Sequence, residues 1–318
     1  MRTWLWIGTL MICFVSGGAS CARREPPMPF PPPPVALNET PSVEELATVM
    51  NRTSSIQQLS TNTATVEVLT MPNIPKLSAT LSLQRERRFR LRASLPIVLG
   101  AGMDLGSNED VFWFEVPEGM SKTLYYAEHE KYRQQLQRAI LPVDPTWIMD
   151  ALGLVQLDPS TVVAGPLKRA DGKLEIRSVV QMPDGLYQRV YFLEAAAGYV
   201  TNQFLYSPDG RLIAQSTATN HRYYPEHQSA LPHQVELHLT PTMGPPLGMK
   251  ISIGTYAVNQ LLSGDPQLFT MPQNASQAVD LTTLSGTANA VQATPATEYT
   301  ADLRMAMPLR GTMQSSLR

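Results

Sequence analysis

Candidate metal ligands are concentrated in the second half of the sequence. Four histidines, His221, His227, His233 and His238, lie within 18 residues, and imidazole is a common ligand of zinc. Spacings of six, six and five residues match no pair on one helix face, and His233 and His238 have opposite parity on a single strand. We therefore expect no metal site and no cofactor.

A second group of oxygen-bearing side chains surrounds a short polar run. Asp104, Glu109 and Asp110 flank the Gly-Ser-Asn run at 106–108, a composition that offers calcium ligands. The regular alternate spacing of an EF-hand loop is absent, so the pattern favours a polar turn. The sequence also contains no G-x-S-x-G, P-loop or H-E-x-x-H motif. We therefore expect no enzymatic activity.

The first twenty residues have the three parts of a secretory signal. Met1 and Arg2 form a short cationic start, residues 4–15 are apolar, and residues 17–20 are small. A membrane-spanning helix needs about 20 apolar residues. The apolar run is shorter than that, so residues 1–20 are predicted to be a cleaved signal peptide.

Cys21 follows this signal directly. The run Gly18-Ala19-Ser20-Cys21 resembles the lipobox of bacterial lipoproteins, although Gly18 stands where an aliphatic residue is usual. The resemblance implies cleavage before Cys21 and a membrane anchor of N-terminal acyl chains on that residue. Ala22, in place of Asp, implies the outer membrane. The alternative is ordinary signal cleavage near Ala19 or Ser20 with Cys21 unmodified.

The composition of the remaining chain limits which cross-links and which kinds of partner it can have. Cys13 is the only other cysteine and lies inside the signal, so no disulfide can form after cleavage. A net charge of -2 gives no reason to expect a nucleic-acid partner. Residues 26–34 read PPMPFPPPP, which favours a semi-rigid polyproline II spacer between membrane and domain. The same run also has the form of a PxxP ligand.

Beyond the spacer, apolar residues change from helical to alternating spacing. Ser42 and Glu45 form a capping box that predicts a helix to about Leu59. A second helix is predicted to begin at Asp144-Pro145. Recurrent Asp-Gly and Ala-Gly turns in the second half predict an antiparallel meander. The predicted strands are 64–71, 76–84, 88–94, 111–116, 123–128, 161–167, 173–182, 187–194, 199–206, 211–223, 234–239 and 249–256.

One predicted strand carries an alternating basic pattern. Arg88, Arg90 and Arg92 alternate with apolar residues, so the three arginines share one face of the strand. A short charge pattern of this kind predicts a solvated face.

This order of elements behind a lipobox resembles the LolA/LolB-like lipoprotein fold. The resemblance covers residues 42–272. It implies a mainly β (α+β) domain: a curled antiparallel half-barrel of about 11–12 strands with helices covering the concave face. Members of that family hold lipoprotein acyl chains in the apolar cavity between sheet and helices.

The resemblance also implies where an acyl chain would bind. The apolar loop after the third strand matches, by location, an exposed aliphatic loop of LolB-like members, although such a loop could instead tuck into the mouth of the half-barrel as core. The residues implied at the mouth and around the cavity are Ile97, Val98, Leu99, Phe112, Phe114, Trp147, Ile148 and Leu152.

Two non-enzymatic functions follow from these observations. The first is a membrane-anchored lipoprotein at the periplasmic side of the outer membrane, which binds lipid or lipoprotein acyl chains. The alternative is an envelope scaffold with a filled core that binds another envelope protein. The expected regions are a signal at 1–20, a lipidated tether at 21–41, the domain at 42–272 and a disordered tail at 273–318, which is rich in Ala, Thr, Ser and Gln.

Overall fold

Alternating apolar and polar residues make most of the chain β-structure. A computed structural model describes residues 30–95, 102–118, 121–135, 146–241 and 246–283. Cys21, the loop residues Ile97, Val98 and Leu99, and most of the predicted tail lie outside the described residues. The strands are β1 Gln58–Val68, β2 Leu77–Gln84, β3 Arg88–Ser94, β4 Gly102–Ser107, β5 Val111–Glu118, β6 Ser121–Glu128, β7 Val162–Lys168, β8 Leu174–Met182, β9 Gly185–Leu193, β10 Val200–Tyr206, β11 Leu212–Tyr224, β12 Ser229–Leu239, β13 Leu247–Ile253, β14 Ala257–Val258 and β15 Gln277–Asp280.

These strands form one curled sheet that does not close. Its order is β15-β6-β5-β4-β3-β2-β1-β13-β12-β11-β10-β9-β8-β7, with β14 paired to β1. All pairs are antiparallel except β15 with β6. β1 joins the two meanders, because it pairs with β2 on one side and with β13 on the other, where Val66 faces Ile251.

Helical segments are short and cover one face of the sheet. They are α1 Val43–Met50, α2 His129–Arg133 and α3 Thr146–Met149, with a π-helical turn at Asp150–Leu154 after α3. Single 3-10 turns occur at Asn51–Ser55, Pro159–Thr161, Pro225–His227 and Leu281–Thr283. The face that they cover, which carries Leu81, Leu91, Val235 and Ile251, is called the inner face below.

The predicted capping box is present at the start of α1, but the helix ends earlier than expected. Ser42 Oγ accepts from the Glu45 amide at 3.1 Å, and the Ser42 amide donates to Glu45 Oε2 at 2.9 Å. α1 ends at Met50 instead of Leu59. The Asn51 side chain exchanges hydrogen bonds of 2.9 and 2.8 Å with the backbone of Leu157. That tertiary contact turns the chain toward β1.

The mainly β, curled and open fold with helices on one face is confirmed, but the sheet is larger than predicted. The expected 11–12 strands become fifteen. β4 escaped prediction because its sequence GMDLGS has two glycines and little alternation, and β14 and β15 are short. Beyond the domain boundary predicted at Pro272, β15 pairs with β6, and Leu281 is buried against Phe112 and Ala127.

Candidate functional site

The inner face is an apolar surface because each strand presents every second residue to it. Its main cluster joins side chains of β1, β2 and β3 with those of β11, β12 and β13. A second cluster lies under α1, where Leu46 and Met50 contact Tyr191 and its neighbours on β8–β10. A third cluster contains Phe112 of β5.

Residues 146–154, called the cover segment below, close most of the main cluster. Trp147 is 2% exposed and Leu152 is 0% exposed. Gly153 has φ of 92°, and a Cβ there would lie 2.7 Å from Cδ of Pro232, so both the backbone and the space require glycine. The cover segment therefore packs directly on β12 and leaves no gap there.

Polar contacts hold the middle and the C-terminal end of the cover segment. The Arg85 guanidinium donates to the carbonyls of Leu154 at 3.2 Å and of Ile56 at 2.9 Å. Asp150 pairs with Arg189 at 3.1 Å, and the same Arg189 nitrogen lies 3.3 Å from the Tyr191 hydroxyl. Burial raises the pKa of Tyr191, which keeps its hydroxyl neutral.

The described cavity residues lie on the inner face or on the cover segment that packs against it, and they fall into two clusters. Trp147, Leu152 and the half-buried Ile148 belong to the main cluster. Phe112 belongs to the third cluster, and Phe114 packs beside it, stacked on Tyr125 with ring centroids 4.9 Å apart. The prediction of one site that joins these residues remains a proposal.

A row of apolar side chains connects the two clusters across the strands. Leu81, Leu91, Leu105, Phe114 and Tyr125 face one another in register on β2 to β6. This set is called the inner row below, and it spans about 19 Å at about 4.8 Å per strand. Leu81 and Leu91 are buried, whereas Leu105, Phe114 and Tyr125 are only half-buried. The half of the row beyond the cover segment therefore has apolar surface left to bury.

A serine and a histidine meet at the end of the inner face near α2. Ser107 Oγ lies 3.1 Å from Nε2 of His129, a spacing found in nucleophile and base pairs. The same Nε2 lies 3.0 Å from the carbonyl oxygen of Asn108, which can only accept, so this nitrogen carries the proton. Both side chains are also buried. The pair is therefore arranged as a structural contact, with Nε2 unable to act as a base toward Ser107.

One cleft in the described part of the chain is small. It lies between α1, the π-helical turn and the ends of the β9–β10 and β11–β12 hairpins, and its volume is about 40 Å³. Met50, Gly153, Gly198 and Tyr199 are among its lining residues. Its volume suits a few water molecules and not an acyl chain.

Two of the histidines singled out by spacing contact an aromatic or an acidic side chain. His221 stacks on Tyr199, with ring centroids 4.2 Å apart, and burial lowers its pKa to about 4. His238 contacts Glu236 at 2.7 Å. Within the described ranges, no three His, Cys, Asp or Glu side chains come together to hold a metal ion. Nor does that part of the chain contain a helix long and apolar enough to cross a membrane.

Arg90, expected on a solvated face, is instead buried on the outer face of the sheet. Its guanidinium forms two hydrogen bonds with Asp104, of 3.0 and 2.5 Å, and donates to the carbonyls of Leu268 at 2.9 Å and Thr270 at 3.0 Å. Residues 263–272, called the outer strap below, cover this arginine. The alternating pattern correctly predicted that Arg90 lies on the polar face of its strand. It could not predict that the outer strap covers this arginine.

Comparisons with known proteins give likenesses of fold alone. No family model matches the chain, and no curated protein matches it. A domain from Vibrio parahaemolyticus, assigned as an outer membrane lipoprotein-sorting protein domain, has 11% identity and a TM-score of 0.45 over 70% of this chain and 96% of that chain.

Two further solved structures show likenesses of the same kind. A DUF1329 family protein from Desulfovibrio piger ATCC 29098 has 11% identity and a TM-score of 0.45 over 70% of this chain and 93% of that chain. A LolA superfamily protein from Nitrosomonas europaea has 9% identity and a TM-score of 0.39 over 70% of this chain and 96% of that chain.

Proposed function

We propose that this protein is a membrane-anchored envelope lipoprotein that binds a lipid or lipoprotein acyl chain against the inner face of its sheet. The inner row is the single observation that carries the proposal. It provides an apolar path across β2 to β6, and Leu105, Phe114 and Tyr125 along it are only half-buried. An acyl chain laid along these side chains would remove apolar surface from water at about 25 cal/mol per Å².

Full access to the inner row requires the cover segment to move. Leu81 and Leu91 share a cluster with Trp147, whereas Ile148 is only half-buried at the edge of that cluster. In this proposal the acyl chain first occupies the half-buried Leu105 half of the row. It reaches the Leu91 half only when the cover segment lifts.

The cellular context in this proposal comes from the N-terminal sequence. Lipidation of Cys21 would place the domain at the periplasmic side of the outer membrane, where LolB-like handling of lipoproteins takes place. Its partners are then the membrane itself and the acyl chain of a lipid or lipoprotein. No catalytic step is part of this function.

A second candidate is the envelope scaffold with a filled core, whose partner is another envelope protein. Trp147 and Leu152 are buried where a cavity would lie, and the small cleft described above does not open onto the inner row. This observation favours a scaffold if the cover segment never leaves the sheet.

Native mass spectrometry of the full chain with palmitate distinguishes the two candidates. Leu105→Asp introduces a charge into the half-buried part of the inner row. Leu167→Asp is the matched control, because Leu167 is exposed on the edge strand β7. We expect palmitate adducts on the parent chain and on Leu167→Asp, and at least a tenfold weaker adduct on Leu105→Asp.

Thermal unfolding of each variant shows whether it is folded at the temperature of the binding measurement. A parent chain that takes up no palmitate at millimolar concentration would refute acyl binding and favour the scaffold. Equal uptake by the folded Leu105→Asp variant would remove the inner row as the site.

A further inference from the structure

The proline-rich run contacts the domain at Phe30. The Phe30 ring centroid lies 5.4 Å from that of Tyr224 and 6.1 Å from that of His233, and the Arg222 guanidinium lies 5.1 Å from the Phe30 ring. The Tyr224 hydroxyl lies 2.9 Å from Nε2 of His233, and Nδ1 of His233 lies 3.0 Å from the Ile253 carbonyl. A carbonyl only accepts, so Nδ1 donates, and Nε2 accepts from Tyr224.

Arg222, Tyr224 and His233 thus form a preorganised aromatic and cationic surface, called the tether site below. The His233 ring is fixed from both nitrogens, and Tyr224 lies nearly parallel to it at an interplanar angle of 6°. Aromatic surfaces of this kind suit an aromatic ring or a proline-rich segment.

A second attachment follows a few residues later along the chain. The amides of Ala36 and Leu37 both donate to the Ala196 carbonyl, at 2.7 and 3.0 Å. Leu37 is buried in the cluster under α1, and a Cβ on Gly198 would lie 3.0 Å from its Cδ1. The segment from Phe30 to Leu37 is therefore attached to the domain at both of its ends.

The two attachments differ in strength. Leu37 is 7% exposed and is tied by backbone hydrogen bonds, whereas Phe30 is 42% exposed and contacts the domain through its ring. Residues 31–34 are prolines, which have no amide to donate. Phe30 can therefore leave the tether site while Leu37 stays in place.

We propose that the tether site binds this chain's own Phe30 as a releasable latch, and that the latch sets how far the domain reaches from the membrane. The consequence for reach rests on the Cys21 anchor of the proposed function. Phe30 is nine positions after Cys21, which allows at most about 32 Å, whereas Ala36 is fifteen positions after Cys21, which allows about 54 Å. Release of Phe30 thus adds about 20 Å of reach.

The latch also favours one orientation of the domain. Tyr224 ends β11 next to the 3-10 turn Pro225–His227, so the docked tether holds that end of the sheet close to the anchor. The opposite end, which includes the β1–β2 loop with Thr70, lies about 37 Å away, the length of the eleven residues of β12. With Phe30 docked, the β11–β12 turn should lie nearer the membrane than Thr70.

Fluorine NMR tests the docking directly. The full chain in detergent micelles carries 4-fluorophenylalanine at position 30, and its resonance is compared with that in urea. We expect a displaced resonance that Arg222→Ala or Tyr224→Ala moves at least halfway to the urea position. Arg133→Ala, which removes an exposed arginine of α2, should leave it unchanged. A parent resonance already at the urea position, or one insensitive to both tether-site variants, would overturn the latch.

Fluorescence quenching tests the orientation. A fluorophore is attached at Glu226→Cys or at Thr70→Cys in the lipidated full chain, on phosphatidylglycerol and phosphatidylethanolamine vesicles that contain a headgroup-nitroxide lipid. We expect at least twofold stronger quenching at position 226, a smaller difference with Phe30→Ala, and no change with Val35→Ala, since Val35 is 79% exposed. Equal quenching at both positions in the parent would overturn the orientation. A chain that does not bind vesicles refutes the anchor, and the fluorine result still decides the docking.

Discussion

Leu152→Ala tests how firmly the cover segment closes the inner face. Leu152 is 0% exposed and lies within the main inner-face cluster. The change removes about three carbon atoms, worth about 2.4 kcal/mol at about 0.8 kcal/mol each. Incomplete collapse of the surrounding residues adds a cavity term, so we expect the free energy of unfolding to fall by about 3 kcal/mol.

Thermal and urea unfolding followed by circular dichroism measure this loss. A fall of about 3 kcal/mol corresponds to a Tm lower by about 6–12 °C in a domain of this size. Leu167→Ala is the control, because Leu167 is exposed on β7 and its loss should cost less than about 0.5 kcal/mol. A loss below about 1 kcal/mol at Leu152 would refute the packing argument, because the cover segment would then not form core in the resting protein.

The same variant links stability to binding. If palmitate displaces the cover segment, weakening the closed state by about 3 kcal/mol raises palmitate affinity by up to about 140-fold. Unchanged affinity in a destabilised Leu152→Ala chain would instead place the acyl chain beside a cover segment that stays closed.

Three further predictions concern other parts of the chain. Arg90→Lys keeps the charge but loses the paired hydrogen bonds to Asp104. We therefore expect the free energy of unfolding to fall by about 1–2 kcal/mol and hydrogen exchange in the outer strap to become faster. Unchanged exchange there would contradict the role of Arg90 in holding the strap. Burial lowers the pKa of His221 to about 4, so the unfolded state binds more protons below the ordinary pKa of about 6.5, and stability should fall by up to about 3 kcal/mol from there to pH 4. His221→Phe, which can still stack on Tyr199, should flatten that dependence in urea titrations, and identical pH profiles would rule the explanation out. Cys21→Ser should move the chain from the membrane fraction to the soluble fraction and remove the acyl mass, whereas a chain that stays with membranes must have another anchor.

The outer strap and the docked tether both bear on where the domain begins and ends. Arg90 ties residues 263–272 to β3, and β15 extends the sheet beyond them to Asp280. At the other end, Phe30 and Leu37 attach part of the expected spacer to the domain. The contacts of β15, Phe30 and Leu37 lie outside the domain limits predicted at residues 42 and 272, which stay a prediction.

The sequence alone determines the features that depend on near neighbours. Alternation predicts the faces of the strands, and the Ser42 capping box predicts the start of α1, because both patterns are written within a few residues. Paired turn residues likewise predict the β8 to β11 meander, which the structure confirms. The curled, mainly β class follows from these local signals together.

Only the tertiary structure decides which surfaces are covered. Arg90 is buried because residues 178 and 180 positions away in sequence supply carbonyl acceptors, and Phe30 docks on a hairpin that follows about 190 residues later. The inner face could have been an open cavity or a filled core with the same alternating strands. Trp147 and Leu152 are buried against this face, because burial depends on which distant segments meet and not on the period of any one strand.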